Sequence, residues 1–129
     1  MAGWDDVRRI ALGLPGTSER LSRGNPHWRV ADRLFVWDRP LHRPDLAALG
    51  PSAPTGPIIG ARIAHIELRP ALIAANPDVF FTIPHFDGYP AILARLDVIT
   101  LPLLEDLITD AWLVQAPAKL AKQFREGGV

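Results

Sequence analysis

The 129-residue sequence predicts an α+β fold, a single domain over residues 1–129, on three observations. Apolar residues recur at helical spacing at both ends of the chain. Between Thr17 and Trp37, short alternating segments are punctuated by Gly, Pro and Asp, as in a small meander. An apolar fraction of 48% is enough for a full core without a metal or a disulfide, and a chain this long buries about two-thirds of its unfolded surface.

Trp4 to Leu14 reads as the first helix. Trp4, Val7, Ala11 and Leu14 form its apolar stripe, Asp5 and Asp6 suit the positive end of the helix dipole, and Pro15-Gly16 ends it. Arg8 and Arg9 fall off the stripe and should be solvated. Thr17 to Arg23 reads as a short strand and Gly24-Asn25-Pro26 as a turn. His27–Val30 and Leu34–Trp37 then form a hairpin across Ala31-Asp32-Arg33, with Trp28 and Val30 on one face and His27 and Arg29 on the other.

Residues 39–60 hold five Pro and three Gly without sustained periodicity, and read as a long surface loop with one or two helical turns at Pro44–Gly50. Beyond it the pattern gives a strand at Ala61–Leu68, a short helix at Arg69–Asn76, and strands at Val79–Ile83 and Ile92–Ile99. The stripe Leu104, Leu107, Ile108, Ala111 and Val114 gives a helix over Leu101–Gln115, with Thr100 as N-cap. A last helix runs from Pro117 to Glu126.

Composition and motifs exclude several function classes. There is no Cys, hence no disulfide, no thiolate nucleophile and no Cys-ligated zinc, and the chain suits a reducing cytoplasm. Met1-Ala2-Gly3-Trp4-Asp5-Asp6 places acids where a signal peptide needs bases, and no apolar run reaches the length of a membrane span. The only Lys residues are Lys119 and Lys122, and the phosphate-loop, dinucleotide, zincin and nucleophile-elbow motifs are missing. The four His residues, at 27, 42, 65 and 85, show no paired ligand spacing, so the expectation is a non-enzymatic protein without cofactor or metal.

Two sets of residues remain as candidates. Net charge is zero, whereas nucleic-acid-binding domains often have a pI above about 9. The charge is uneven, however: eight Arg face five acids in residues 1–43, three Arg face eight acids in 44–118, and three bases face one acid in 119–129. Arg20, Arg23, Arg29 and Arg33, together with Lys119, Lys122 and Arg125, are the candidate phosphate contacts, against the plainer reading of a solvated surface. His85, Asp87 and Tyr89 gather on a turn fixed by Pro84, Gly88 and Pro90, where a small domain delivers polar groups to a ligand. The plainer reading of that turn is a structural one, with His85 and Asp87 bonded to backbone groups and Tyr89 packed.

Four blocks in order resemble the MmcQ/YjbR family of small bacterial proteins. They are Trp4 to Gly16; Gly24-Asn25-Pro26-His27-Trp28-Arg29-Val30; Pro84 to Pro90 with the following Leu96-Asp97; and Asp110-Ala111-Trp112 leading to Ala116-Pro117-Ala118-Lys119-Leu120. The Pro-rich 39–60 segment departs from shorter members, which turn directly between strands. The resemblance implies a CyaY-like fold, an antiparallel sheet backed by helices, and DNA binding through a double-wing arrangement of hairpins. It supplies no catalytic residues. Frataxin relatives of that fold bind iron through a run of acids on the first helix, where this chain offers only Asp5 and Asp6, so iron binding is not carried over.

Two functions follow as expectations. One is a DNA-binding protein using the basic residues. The alternative is a protein-interaction or small-ligand module built on the 84–90 turn.

Overall fold

The structure, a computed structural model, describes residues 2–127. Six strands form one antiparallel sheet in the order β1-β2-β3-β4-β6-β5, with β1 at Thr17–Ser22, β2 at Asn25–Val30, β3 at Arg33–Asp38, β4 at Ile58–Arg62, β5 at Phe80–Phe81 and β6 at Ala91–Arg95. Five helices accompany it: α1 (Trp4–Leu12), α2 (Arg43–Leu49), α3 (Arg69–Ala75), α4 (Leu101–Gln115) and α5 (Ala118–Arg125). The α+β architecture and the antiparallel sheet match the sequence expectation, and the α4 boundaries coincide with it.

The first two connections are two-residue hairpin turns. Arg23 and Gly24 (φ 54° and 81°) join β1 to β2, and Ala31 and Asp32 (φ 48° and 67°) join β2 to β3. Positive φ at both central positions matches the twist of the flanking strands. This moves the expected turn at Gly24-Asn25-Pro26 back by one residue, and Asn25 and Pro26 enter β2.

The sheet is covered on both faces, unequally. Val7 and Ala11 of α1 and Leu104, Ile108 and Trp112 of α4 bury Trp28, Val30, Val36, Ile59, Ala61, Ile92 and Ala94 in the main core. Two side-chain bonds fasten α4 over this face. The Trp112 indole donates to the Pro15 carbonyl at 3.0 Å, and the Gln115 amide to the Leu34 carbonyl at 2.8 Å. Leu120 of α5 reaches toward Gly16, and Phe124 packs 5.0 Å from the Trp112 ring, so α5 lies on the same side.

A smaller core on the other face holds Ile58, Ile83, Phe86, Ala91 and Leu93, with Trp37, Leu41, Leu49 and Phe81 packed against it. Here the Pro-rich segment differs from a structureless loop. Its last three residues, 58–60, belong to β4, while Leu41 and Leu49 roof the β4–β6 end of the sheet. Arg39 and Asp45 clamp it, buried and 3.1 Å apart. Other boundaries shift similarly. The strand expected over 61–68 is β4, ending at Arg62, with a 3-10 turn at 66–68, and β5 shrinks to two residues because Pro84 leads directly into another 3-10 turn. Among the described residues no helix is long and apolar enough to cross a membrane.

Candidate functional site

The roof stops at the β4–β6 end, leaving the face of β1, β2 and β3 open. Cross-strand partners share a face. Arg20 pairs with His27, and His27 with Trp37, so all three point to the open side. Arg29 joins them: its Nε donates to His27 Nε2 at 3.1 Å and an Nη donates to the Asp32 carbonyl at 3.1 Å. Arg20 donates to the Asp32 carboxylate at 2.7 Å. The hairpin tip thus spreads two guanidiniums across neighbouring strands. Arg23 stands in the preceding hairpin turn without an ion-pair partner among the described residues.

Two adjoining clefts mark this face. One, of about 350 Å³, runs past Arg23, His27, Arg29, Asp38 and His42. The other, of about 360 Å³, is lined by Leu34, Trp37, Arg39, His85, Phe86 and Tyr89. Leu34, Trp37 and Arg39 belong to both, so the two clefts of this groove meet along these three residues. Its aromatic end is packed ring against ring. The His85 ring meets Phe86 edge-on at 4.8 Å, Tyr89 sits 6.0 Å from Phe86, and the Arg39 guanidinium lies 5.5 Å over the Phe86 ring. Arg69 of α3 holds the turn in shape by donating to the carbonyls of Phe86, Tyr89 and Ala91 at 3.0–3.1 Å.

Arg29 and Arg20 make the local field at His27 positive. Burial lowers the proton affinity of His27, and the neighbouring Arg29 and Arg20 lower it further, so the imidazole is neutral and accepts the Arg29 bond. Asp38 borders the groove at the end of β3, but it pairs with Ile59, in the register of the helix-covered face, and burial raises its carboxyl from the ordinary value. At Asp45, burial pushes the carboxyl upward, but the His42 backbone N–H and the Arg39 guanidinium outweigh it and hold the group ionised.

The candidate residues are redistributed by this geometry. Arg20, Arg23 and Arg29 share the open face with His85 and Tyr89, which the sequence had presented as two separate sets. Asp87 does not line the groove, and its loop position leaves it exposed. Arg33 pairs with Val30, in the register of the helix-covered face, and stands at the hairpin end. Lys119, Lys122 and Arg125 are exposed on α5, on the opposite side of the sheet. The two basic ends of the chain therefore do not form one face. Sequence reasoning missed Trp37 and Arg39 as groove residues. The one signal for Trp37 was Gly60, a lone glycine in an apolar strand, which marks a close approach. Arg39 carried no signal.

Among the described residues no three His, Asp or Glu side chains gather as a metal site would require. The open face presents guanidiniums, imidazoles and ring faces, with the Asp32 carboxylate bound to Arg20 at the hairpin tip.

These features define a sheet-based α+β domain with one open, basic and aromatic face. No family model matches the chain. It is 51% identical over 128 residues to the uncharacterised proteins Rv2570 of Mycobacterium tuberculosis and Mb2600 of Mycobacterium bovis, covering 96% of each chain, and it belongs to their family. Its fold is that of Deinococcus radiodurans protein DR2400, a DUF419 domain, with a TM-score of 0.68 over 98% of this chain and 88% of that one. At 17% identity the likeness speaks for the fold alone.

Proposed function

We propose that this chain is a non-enzymatic DNA-binding protein of the MmcQ/YjbR type, acting in the cytoplasm, which takes a single strand on the open face of the sheet. One observation carries the reading: the clefts at the basic hairpins and at the His85–Tyr89 turn share Leu34, Trp37 and Arg39. Single strands are held by a positively charged groove that follows the phosphates, with aromatic faces on which bases stack, each stack worth about 1–3 kcal/mol. Arg23 and Arg29, which line the first cleft, supply the first element, with Arg20 beside them paired to Asp32, and Trp37 and Tyr89 supply the second. The zero net charge of the chain is no obstacle, because phosphates respond to the local field of the face they approach.

The test is fluorescence anisotropy with a labelled single strand and a labelled duplex at low and moderate salt. The expected result is single-strand binding that weakens steeply with salt, as counterion release requires. Absence of binding even at low salt would falsify the reading.

The aromatic lining of the 360 Å³ cleft, where Trp37, Phe86 and Tyr89 stand beside His85 and Arg39, favours a second reading, a small-ligand module using His85 and Tyr89. The ligand would be a planar anion such as a mononucleotide. Saturable mononucleotide binding with no strand binding would select it.

A further inference from the structure

On the other side of the sheet, α3, α4 and the end of β4 enclose a separate cavity of about 410 Å³. Its walls are apolar, built from Leu68, Leu72, Phe80, Leu103, Leu107 and Leu113. The volume lies within the range of small-molecule sites. Asp106 and Asp110 stand on its margin one turn apart on α4, and neither has a basic partner among the described residues. Partial desolvation by the helix around it, with the neighbouring Asp106 carboxylate, raises the proton affinity of Asp110.

We infer that this cavity binds an amphipathic amine, a hydrocarbon tail among the leucines and an ammonium group between Asp106 and Asp110. The charges around it fit a cation. Like carboxylates at i and i+4 repel each other, and a shared ammonium removes the repulsion. Arg62 also lines the cavity, but its Nε donates to the Pro90 carbonyl at 3.1 Å and its guanidinium lies 5.1 Å over the Tyr89 ring, so it is already engaged. Arg125, exposed at the end of α5, is the only other cation in the lining among the described residues. An anionic head group would meet two carboxylates for that one guanidinium.

Methyl NMR titrations with octylamine, octanol and octanoate test the inference on the whole chain. Octylamine should shift the methyls of Leu72, Leu107 and Leu113, while octanol and octanoate bind at least ten-fold more weakly. Asp106→Asn/Asp110→Asn should cost octylamine at least ten-fold in affinity. Both positions are exposed, and the variant's methyl spectrum reports its folding; should the pair misfold, Asp106→Asn alone should still cost three-fold or more. Leu72→Trp, which fills the cavity and keeps both acids, should abolish the shifts. Equal binding of octanoate or octanol, no shift with octylamine, or undiminished octylamine affinity in the Asn variants overturns it.

Discussion

The indole of Trp37 lies directly over Gly60, its cross-strand partner on β4, and occupies the space that a Cβ at position 60 would fill. The glycine thereby seats the ring that lines both clefts, its centroid 6.2 Å from that of Phe86. A strand glycine normally weakens a sheet, and here an aromatic neighbour covers the gap.

Gly60→Ala should push the Trp37 indole off its seat. Overpacking of this kind costs about 1–3 kcal/mol, which urea unfolding will measure. A shifted tryptophan emission and weaker strand binding should accompany it. Unchanged stability together with unchanged emission would show that Trp37 does not rest on Gly60.

Asp45→Asn should destabilise the chain by about 3–5 kcal/mol, because Arg39 would be left buried without its counter-charge. The damage should concentrate in residues 39–57, read as faster amide exchange in α2. Adding Arg39→Met should recover most of the loss, since an apolar side chain needs no partner. If the double variant is as unstable as the single one, the pair is not what clamps this segment.

His27 has a folded-state proton affinity below its ordinary value of 6.5. The unfolded chain therefore binds this proton more readily, and stability falls as pH drops below about 6.5 toward the folded value. His27→Gln should flatten that part of the pH–stability curve. Phosphate close to Arg20 and Arg29 would counter the positive field, so DNA binding should be accompanied by proton uptake at His27 and tighten below pH 6.5. Calorimetry in buffers of different ionisation enthalpy measures the uptake.

Asp38 behaves in the opposite sense. Its carboxyl is raised by burial from 3.8, so its contribution is present at acid pH and lost as pH rises through the folded value. At neutral pH the ionised group is a cost to the fold. Asp38→Asn should leave stability at neutral pH equal or higher and flatten the fall in stability as pH rises above the ordinary carboxylate value, as urea unfolding at several pH values will measure. A clear loss of stability at neutral pH would mean that the ionised carboxylate is itself held by a partner.

Much of this fold was legible in the sequence because its signals are local. Leu104, Leu107, Ile108 and Ala111 repeat at helical spacing, and Thr100 caps its helix by accepting from the Leu103 N–H. Trp28 and Val30 alternate against His27 and Arg29, and their burial follows that alternation. What the sequence left unread depends on long-range closure. The clamp between Arg39 and Asp45 orders the Pro-rich segment through a single ion pair that no periodicity announces. Which faces the basic residues share is set by strand order and by the side on which α5 docks, so Arg29 and Lys119 carry the same charge in the sequence and stand on opposite sides of the sheet.

The central claim is that the open sheet face, and not the C-terminal helix, holds the strand. Arg23→Ala/Arg29→Ala should weaken single-strand binding at least ten-fold and lower the salt slope by about 1.4, about 0.7 for each lost phosphate contact on a single strand. Lys119→Ala/Lys122→Ala should leave both nearly unchanged. The contradicting result is the reverse pattern, binding lost with the lysines and kept without Arg23 and Arg29.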